Sequence, residues 1–103
     1  MKFLSSAATA AVIATSLLFS QATLADGATL FKSKGCAGCH GQKAMGAVGP
    51  RLAGQQENYL VDQFKLIRDG KRTSGKSGIM VGAVKSVTDN EIAQIAKHLT
   101  AMP

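Results

Sequence analysis

The chain has no tryptophan, one tyrosine and four phenylalanines. A small domain this poor in bulky aromatics is short of core filler, and something else must supply it. Cysteine is scarce too: Cys36 and Cys39 are the whole supply. A disulfide between them would close a very small loop and remove little unfolded-state entropy, so no disulfide framework holds this chain. Acidic residues number six against twelve Lys and Arg. No segment alternates polar and apolar residues in the way a half-buried strand does, which argues against a β architecture.

The N-terminus, MKFLSSAATAAVIATSLLFSQATLA, has one lysine, an apolar stretch from about Ala7 to Phe19, and small residues ending at Ala25. That is the layout of a secretory signal peptide, with Thr23 and Ala25 flanking a cut before Asp26. The apolar run falls short of the ~20 residues a bilayer span needs, and Ser and Thr interrupt it. Residues 1–25 are therefore expected to be a cleaved signal peptide, residues 26–103 one small exported domain, and its home the periplasm. The mature part keeps eleven basic residues and all six acids, a net charge of +5. Such a chain can meet acidic proteins, anionic lipid or nucleic acid. Export makes nucleic acid the least expected of these, and loss of the leader removes any stable membrane insertion.

Asp26 to Lys34 reads as a short helix capped by Asp26, with Leu30 and Phe31 as its apolar bulk. Residues 41–56 hold four glycines and a proline and read as an irregular loop. In ENYLVDQFKLIRD, residues 57–69, Leu60, Val61, Phe64 and Ile67 fall at helical spacing, and Gly70 is a good stop. KRTSGKSG is a polar, basic loop leading to Ile79, Met80 and Val81. Thr88 and Glu91 form a capping box, and Ile92, Ile95, Ala96 and Leu99 then make one apolar stripe. The expectation is an all-α domain of about three helices joined by long loops. Loops this long in so small a domain have a function or wrap something.

Residues 36–40, CAGCH, carry the chemistry. A thioredoxin-like redox pair belongs beside a strand–helix–strand pattern, and none is visible. A zinc site needs four ligands, and Cys36, Cys39 and His98 give three, with His40 a strained fourth. Neither reading explains the histidine at the fifth position. Covalent haem attachment explains all five residues. Each thiol adds to one porphyrin vinyl group, and the imidazole that follows is carried under the ring to bind iron. One covalently bound haem c is the cofactor expected, held by Cys36 and Cys39, with His40 on the metal.

Met45, Met80, Met102 and His98 compete for the other face of the iron. Met45 lies five residues from His40, a chain length of at most about 17 Å, near the limit for rounding the ring edge. Met102 adjoins the C-terminus, where order is least assured. His98 sits by the apolar stripe, where a histidine more often packs than ligates. Met80 is far enough along for the chain to wrap the haem, and it is the residue chosen. A soft thioether favours ferrous iron and raises the reduction potential. With His40 and Met80 both on iron, no open site remains for oxygen or peroxide, which describes a carrier and not an enzyme.

With CAGCH, the segments VGPRLAGQ, NYLVDQFKLIRDGKR and IMVGAVKSVTDNEI and the terminal helix make residues 26–103 resemble a class I c-type cytochrome of the small, single-haem bacterial kind. The resemblance implies the small cytochrome c fold, wrapped around one covalently bound haem. It implies that Pro50 offers its carbonyl to the second nitrogen of His40, a bond that fixes ring orientation. Read from the residues alone, Gly49-Pro50 is only a turn. The resemblance also implies a Gly/aromatic crossing of first and last helices, for which Gly27 and Phe31 supply one half. His98 stands where the family's second aromatic belongs, a departure that leaves its role open.

Lys32, Lys34, Lys43, Lys71, Arg72, Lys76 and Lys85 flank the segments expected to line the haem. Together they suggest a positive ring around an exposed haem edge, steering redox partners with acidic docking surfaces. The function these features imply is a periplasmic electron carrier. The alternative is the haem c subunit of a periplasmic dehydrogenase complex; an open-site haem enzyme or sensor and a zinc module rank lower.

Overall fold

The computed structural model describes residues 26–103; the proposed signal peptide, residues 1–25, lies outside them. Five helices and no strand occur among the described residues: α1 Gly27–Ser33, α2 Cys36–His40, α3 Glu57–Arg68, α4 Ser77–Val84 and α5 Asp89–Thr100. None of them is long and apolar enough to cross a membrane.

The three expected helices form where their local signals put them. The Asp26 carboxylate caps α1 by accepting from the Thr29 amide at 2.8 Å. Helix α3 stops at Gly70, whose φ of 71° lets its amide return to the Ile67 carbonyl at 3.1 Å. The capping box of α5 is closed both ways: Glu91 N–H donates to Thr88 Oγ1 at 3.1 Å, and Thr88 N–H donates to Glu91 Oε1 at 3.0 Å.

Two further helices were not expected. The CAGCH motif itself winds into α2, and the segment around Met80, read as the end of a loop, is α4. Helix α4, SGIMVGAV, has two glycines and apolar residues all round, so it lacks the one-sided stripe that marks a surface helix. Contact with α3 holds it, and Val84 is its one buried residue.

The core is where α1, α3 and α5 meet. Phe31, Ile92, Ile95 and Leu99 are at most 2% exposed, with Leu30, Leu60, Phe64 and Ile67 around them. Helix α1 crosses α5 at Gly27, where a Cβ would run into the Gln94 carbonyl and lie 2.6 Å from His98 Cβ. Beside it the Phe31 and His98 rings stand 6.4 Å apart, tilted by 52°. His98 thus takes the packing place of the second aromatic at this crossing.

The irregular segment 41–56 is fastened by its own backbone. The Ala44 carbonyl accepts from Leu52 N–H at 2.9 Å and Ala53 N–H at 3.0 Å, and Gly54 N–H reaches the Leu99 carbonyl of α5 at 2.9 Å. Ala44 is fully buried at φ 55°, a left-handed conformation that a non-glycine residue adopts at a cost. At the other end, Arg68 ties α3 to α5 by donating to the Val87 carbonyl at 3.1 Å and to Asp89 Oδ1 at 2.6 Å.

Candidate cofactor site

Gly35, at φ 78°, turns the chain from α1 directly into α2. Three residues apart on one helix, Cys36 and Cys39 share a face. Both thiols are free; Cys36 is half-buried and Cys39 exposed. Burial pushes the Cys36 thiol above its ordinary range, since a desolvated thiolate is disfavoured.

His40 ends the helix and is 6% exposed. Its Nδ1 lies 2.8 Å from the Pro50 carbonyl. A carbonyl can only accept, so Nδ1 carries the proton and donates, which leaves Nε2 as a bare electron-pair donor. Gly49 makes this approach possible. A Cβ there would sit 2.6 Å from Cε1, 2.8 Å from Nδ1 and 3.1 Å from Nε2 of the ring. The loop is locked in this pose because Gly49 N–H donates to the Cys39 carbonyl at 2.8 Å and Gly46 N–H to the His40 carbonyl at 2.9 Å. Sequence reasoning placed Pro50 beside His40 through resemblance alone and missed Gly49. A glycine before a proline is so common in turns that nothing local marks it as a contact residue.

These side chains open onto a cleft of about 500 Å³. Cys36, Cys39 and His40 line it from α2, and Leu60, Phe64 and Ile67 from α3. Met80, Ala83 and Val84 line it from α4, and Ile95, Ala96 and Leu99 from α5. Helices α2 and α4 share the cleft without touching, so the imidazole and the Met80 segment bound it from separate elements. Of the four residues that competed for the second iron position, only Met80 lines it. Met45 is half exposed, Met102 packs against the core, and His98 stands at the crossing of α1 and α5. Of the seven basic residues expected to flank the cleft segments, Lys34, Arg72 and Lys76 line the cleft itself.

The donor set suits haem. Two thiols on one helix face, a bare imidazole nitrogen and a thioether all open onto one largely apolar cavity, which fits a flat apolar macrocycle held by thioether links.

The family profile of cytochrome c matches residues 24–103. Cytochrome c-553 of Nitratidesulfovibrio vulgaris is 37% identical over 87 residues, covering 81% of this chain and 82% of that protein. The thiosulfate dehydrogenase electron acceptor of Stutzerimonas stutzeri is 38% identical over 101 residues, 88% of this chain and 45% of that one. Among solved structures, reduced recombinant cytochrome c4 from Pseudomonas stutzeri superposes with a TM-score of 0.66 at 26% identity, over 75% of this chain and 46% of that one. The chain thus spans most of the short relative and about half of the longer ones. Matched along every helix described above, it belongs to the cytochrome c family, whose cofactor is covalently bound haem c.

Proposed function

We propose that this protein is an exported, single-haem electron carrier of the periplasm, with His40 and Met80 as axial ligands. The observation that carries the reading is the His40–Pro50 bond of 2.8 Å in a cleft that Met80 also lines. When bound, haem c supplies an iron centre that takes up and returns one electron.

The chain's part is to hold, orient and shield. Cys36 and Cys39 give the two thioether anchors. Pro50 keeps the His40 proton on Nδ1, so Nε2 stays a donor at every pH where the ring is neutral. The Met80 sulfur is a soft donor that favours the reduced state. Phe31, Leu60, Phe64, Ile67 and Leu99 wall the site against water, which keeps the dielectric low and the reorganisation on electron exchange small. His40 and Met80 would hold the iron with an imidazole and a thioether, which would leave no open position for a small molecule and suits a carrier rather than an enzyme.

Lys34, Arg72 and Lys76 at the cleft give its rim a positive bias, which suits redox partners with acidic docking surfaces. The relative named as a thiosulfate dehydrogenase electron acceptor makes a periplasmic dehydrogenase a candidate donor, met in passing or as a bound complex.

The test is an optical spectrum of protein secreted from a host that matures c-type haem, oxidised and then reduced. Sharp reduced bands together with the weak far-red band of methionine sulfur on ferric iron are expected, and Met80→Ala should abolish the latter. Carbon monoxide binding by the reduced wild-type protein at neutral pH would instead show an open iron site and refute the carrier reading.

A further inference from the structure

The segment that carries Met80 is tied to the rest of the chain mainly through one neighbour. Gly70 N–H donates to the Ile67 carbonyl of α3, Lys71 and Arg72 N–H to the Leu66 carbonyl, and the Arg72 guanidinium to Gln63. One hydrogen bond runs another way. Lys76 Nζ donates to the Val48 carbonyl at 3.1 Å. Among the described residues it is the only hydrogen bond between residues 70–85 and the loop 41–56.

That loop is the one that fixes His40. After Val48 come Gly49, whose N–H donates to the Cys39 carbonyl at 2.8 Å, and Pro50, whose carbonyl lies 2.8 Å from His40 Nδ1. The Val48 carbonyl is therefore a fixed point on the imidazole side of the cleft. Lys76 stands at the start of α4, about one turn before Met80. Its bond joins the imidazole side to the thioether side, which α2 and α4 themselves do not do.

A lysine at this place runs against local preference. Positive charge at a helix N-terminus opposes the helix dipole, and α4 begins with no side-chain cap on its free amides. Such departures gather where a residue serves something other than its own helix. Nor is Lys76 spent on an ion pair, since no carboxylate among the described residues lies within ion-pair distance of it. Its acceptor is the Val48 carbonyl.

Resting on the ligation proposed above, we infer that Lys76 is a positioning residue for Met80: its bond to Val48 latches α4 across the cleft and sets how often the thioether leaves the iron. The latch acts through α4, which buries only Val84 and otherwise leans on α3. When it opens, α4 swings on that contact, and an external donor can take the position Met80 gives up.

The experiment follows imidazole binding to the haem-loaded ferric protein by stopped flow, read as loss of the far-red methionine band. Imidazole is kept dilute, so that the rate reports the fraction of open molecules. Lys76→Ala should bind about 3–10-fold faster than wild type, the range that one net hydrogen bond of ordinary strength gives. Lys76→Arg keeps a long donor and should restore the wild-type rate. Lys71→Ala removes the same charge from the same exposed loop without touching the latch, and should bind as wild type does.

Melting temperature should barely move in any of the three. In Lys76→Ala, relief of the unfavourable charge at the start of α4 offsets the lost bond against global unfolding. It does not offset opening, because α4 is helical in both positions. An unchanged rate in Lys76→Ala would overturn the inference, and so would an equal rise in Lys71→Ala, which would trace the effect to charge alone. A rise accompanied by a fall of about 4–8 °C in melting temperature would overturn it too, as the mark of a loss spread over the whole fold. Haem-loaded wild type without the far-red band would overturn the Met80 ligation itself, a distinct failure visible before any imidazole is added.

Discussion

Gly49→Ala adds one methyl group at a place where the backbone asks for nothing special. Gly49 is not among the glycines with positive φ, so alanine meets no conformational strain there, and the contact alone decides the outcome. The new Cβ would stand 2.6 Å from His40 Cε1 and 2.8 Å from Nδ1. Carbon atoms in good contact are about 3.5–4.0 Å apart, so ring and loop must separate by about 1 Å. The loop cannot easily give way, because Gly49 N–H is bonded to the Cys39 carbonyl at 2.8 Å. The ring can move only by stretching its 2.8 Å bond to Pro50 toward about 3.5 Å, beyond hydrogen-bond range. Overpacking of this kind costs about 1–3 kcal/mol, and the lost bond adds about 1 kcal/mol. The total is about 2–4 kcal/mol.

Thermal unfolding of the haem-loaded protein, followed by circular dichroism, reads this directly. For a domain of this size each kcal/mol shifts Tm by about 4–8 °C, so a fall of about 10 °C or more is expected. Gly82→Ala is the control. It lies within α4, and a Cβ there meets nothing within 4 Å. Alanine in place of glycine in a helix should hold or raise Tm, since it adds up to about 1 kcal/mol of stability. Equal melting temperatures for the two variants would refute the reasoning, since the close approach of Gly49 to His40 would then carry no energetic weight.

Gly27→Ala should be at least as damaging, because the methyl would meet the Gln94 carbonyl of α5 directly, and loss of more than about 2 kcal/mol by urea unfolding is expected. Below about pH 5 the melting temperature should fall. The Thr88 amide and then Lys34 hold the Glu91 carboxyl below its ordinary 4.5, as the Thr29 amide does for Asp26 and the Arg68 guanidinium for Asp69. A depressed carboxyl stabilises the fold above its unfolded pKa, and that stability is lost as pH falls through the folded value, so Glu91→Gln should show a smaller acid drop in melts taken across this range. A Cys36→Ala/Cys39→Ala chain, unable to anchor haem, should lose cooperative melting by circular dichroism, since burial of a few hundred Å² of porphyrin is worth on the order of 10 kcal/mol.

Helices α1, α3 and α5 were legible because each announces itself locally. Asp26, the Thr88–Glu91 box and Gly70 are short-range signals, and Leu60, Phe64 and Ile67 or Ile92, Ile95 and Leu99 repeat at helical spacing. The motif residues were legible for another reason: five positions of fixed chemistry admit few explanations. What stayed hidden depends on distant neighbours. Helix α4 has no apolar stripe because it serves two apolar surroundings at once, the core at Val84 and the cleft at Ile79, Met80 and Ala83. Gly49 and Arg72 read as a turn residue and a surface cation until the fold places one against an imidazole and the other on the cleft wall.

The distribution of packing also bears on how such a chain works. Helices α1 and α3 bury their apolar faces against α5, and each of the three rests mainly on its protein neighbours. Helix α4 does not. It buries only Val84, and it turns Ile79 and Met80 to the cleft. Its links to the rest are contact with α3 and the Lys76–Val48 bond at its start. The segment that brings Met80 thus has little buried surface of its own, while His40 is clamped by Pro50, Gly49 and the short helix that carries both thiols. On the proposed ligation, one ligand is built in and the other docks. A bond from Met80 to iron would therefore do two things at once, completing the centre and fastening α4, and for that reason the last element to order should be the one that closes the site.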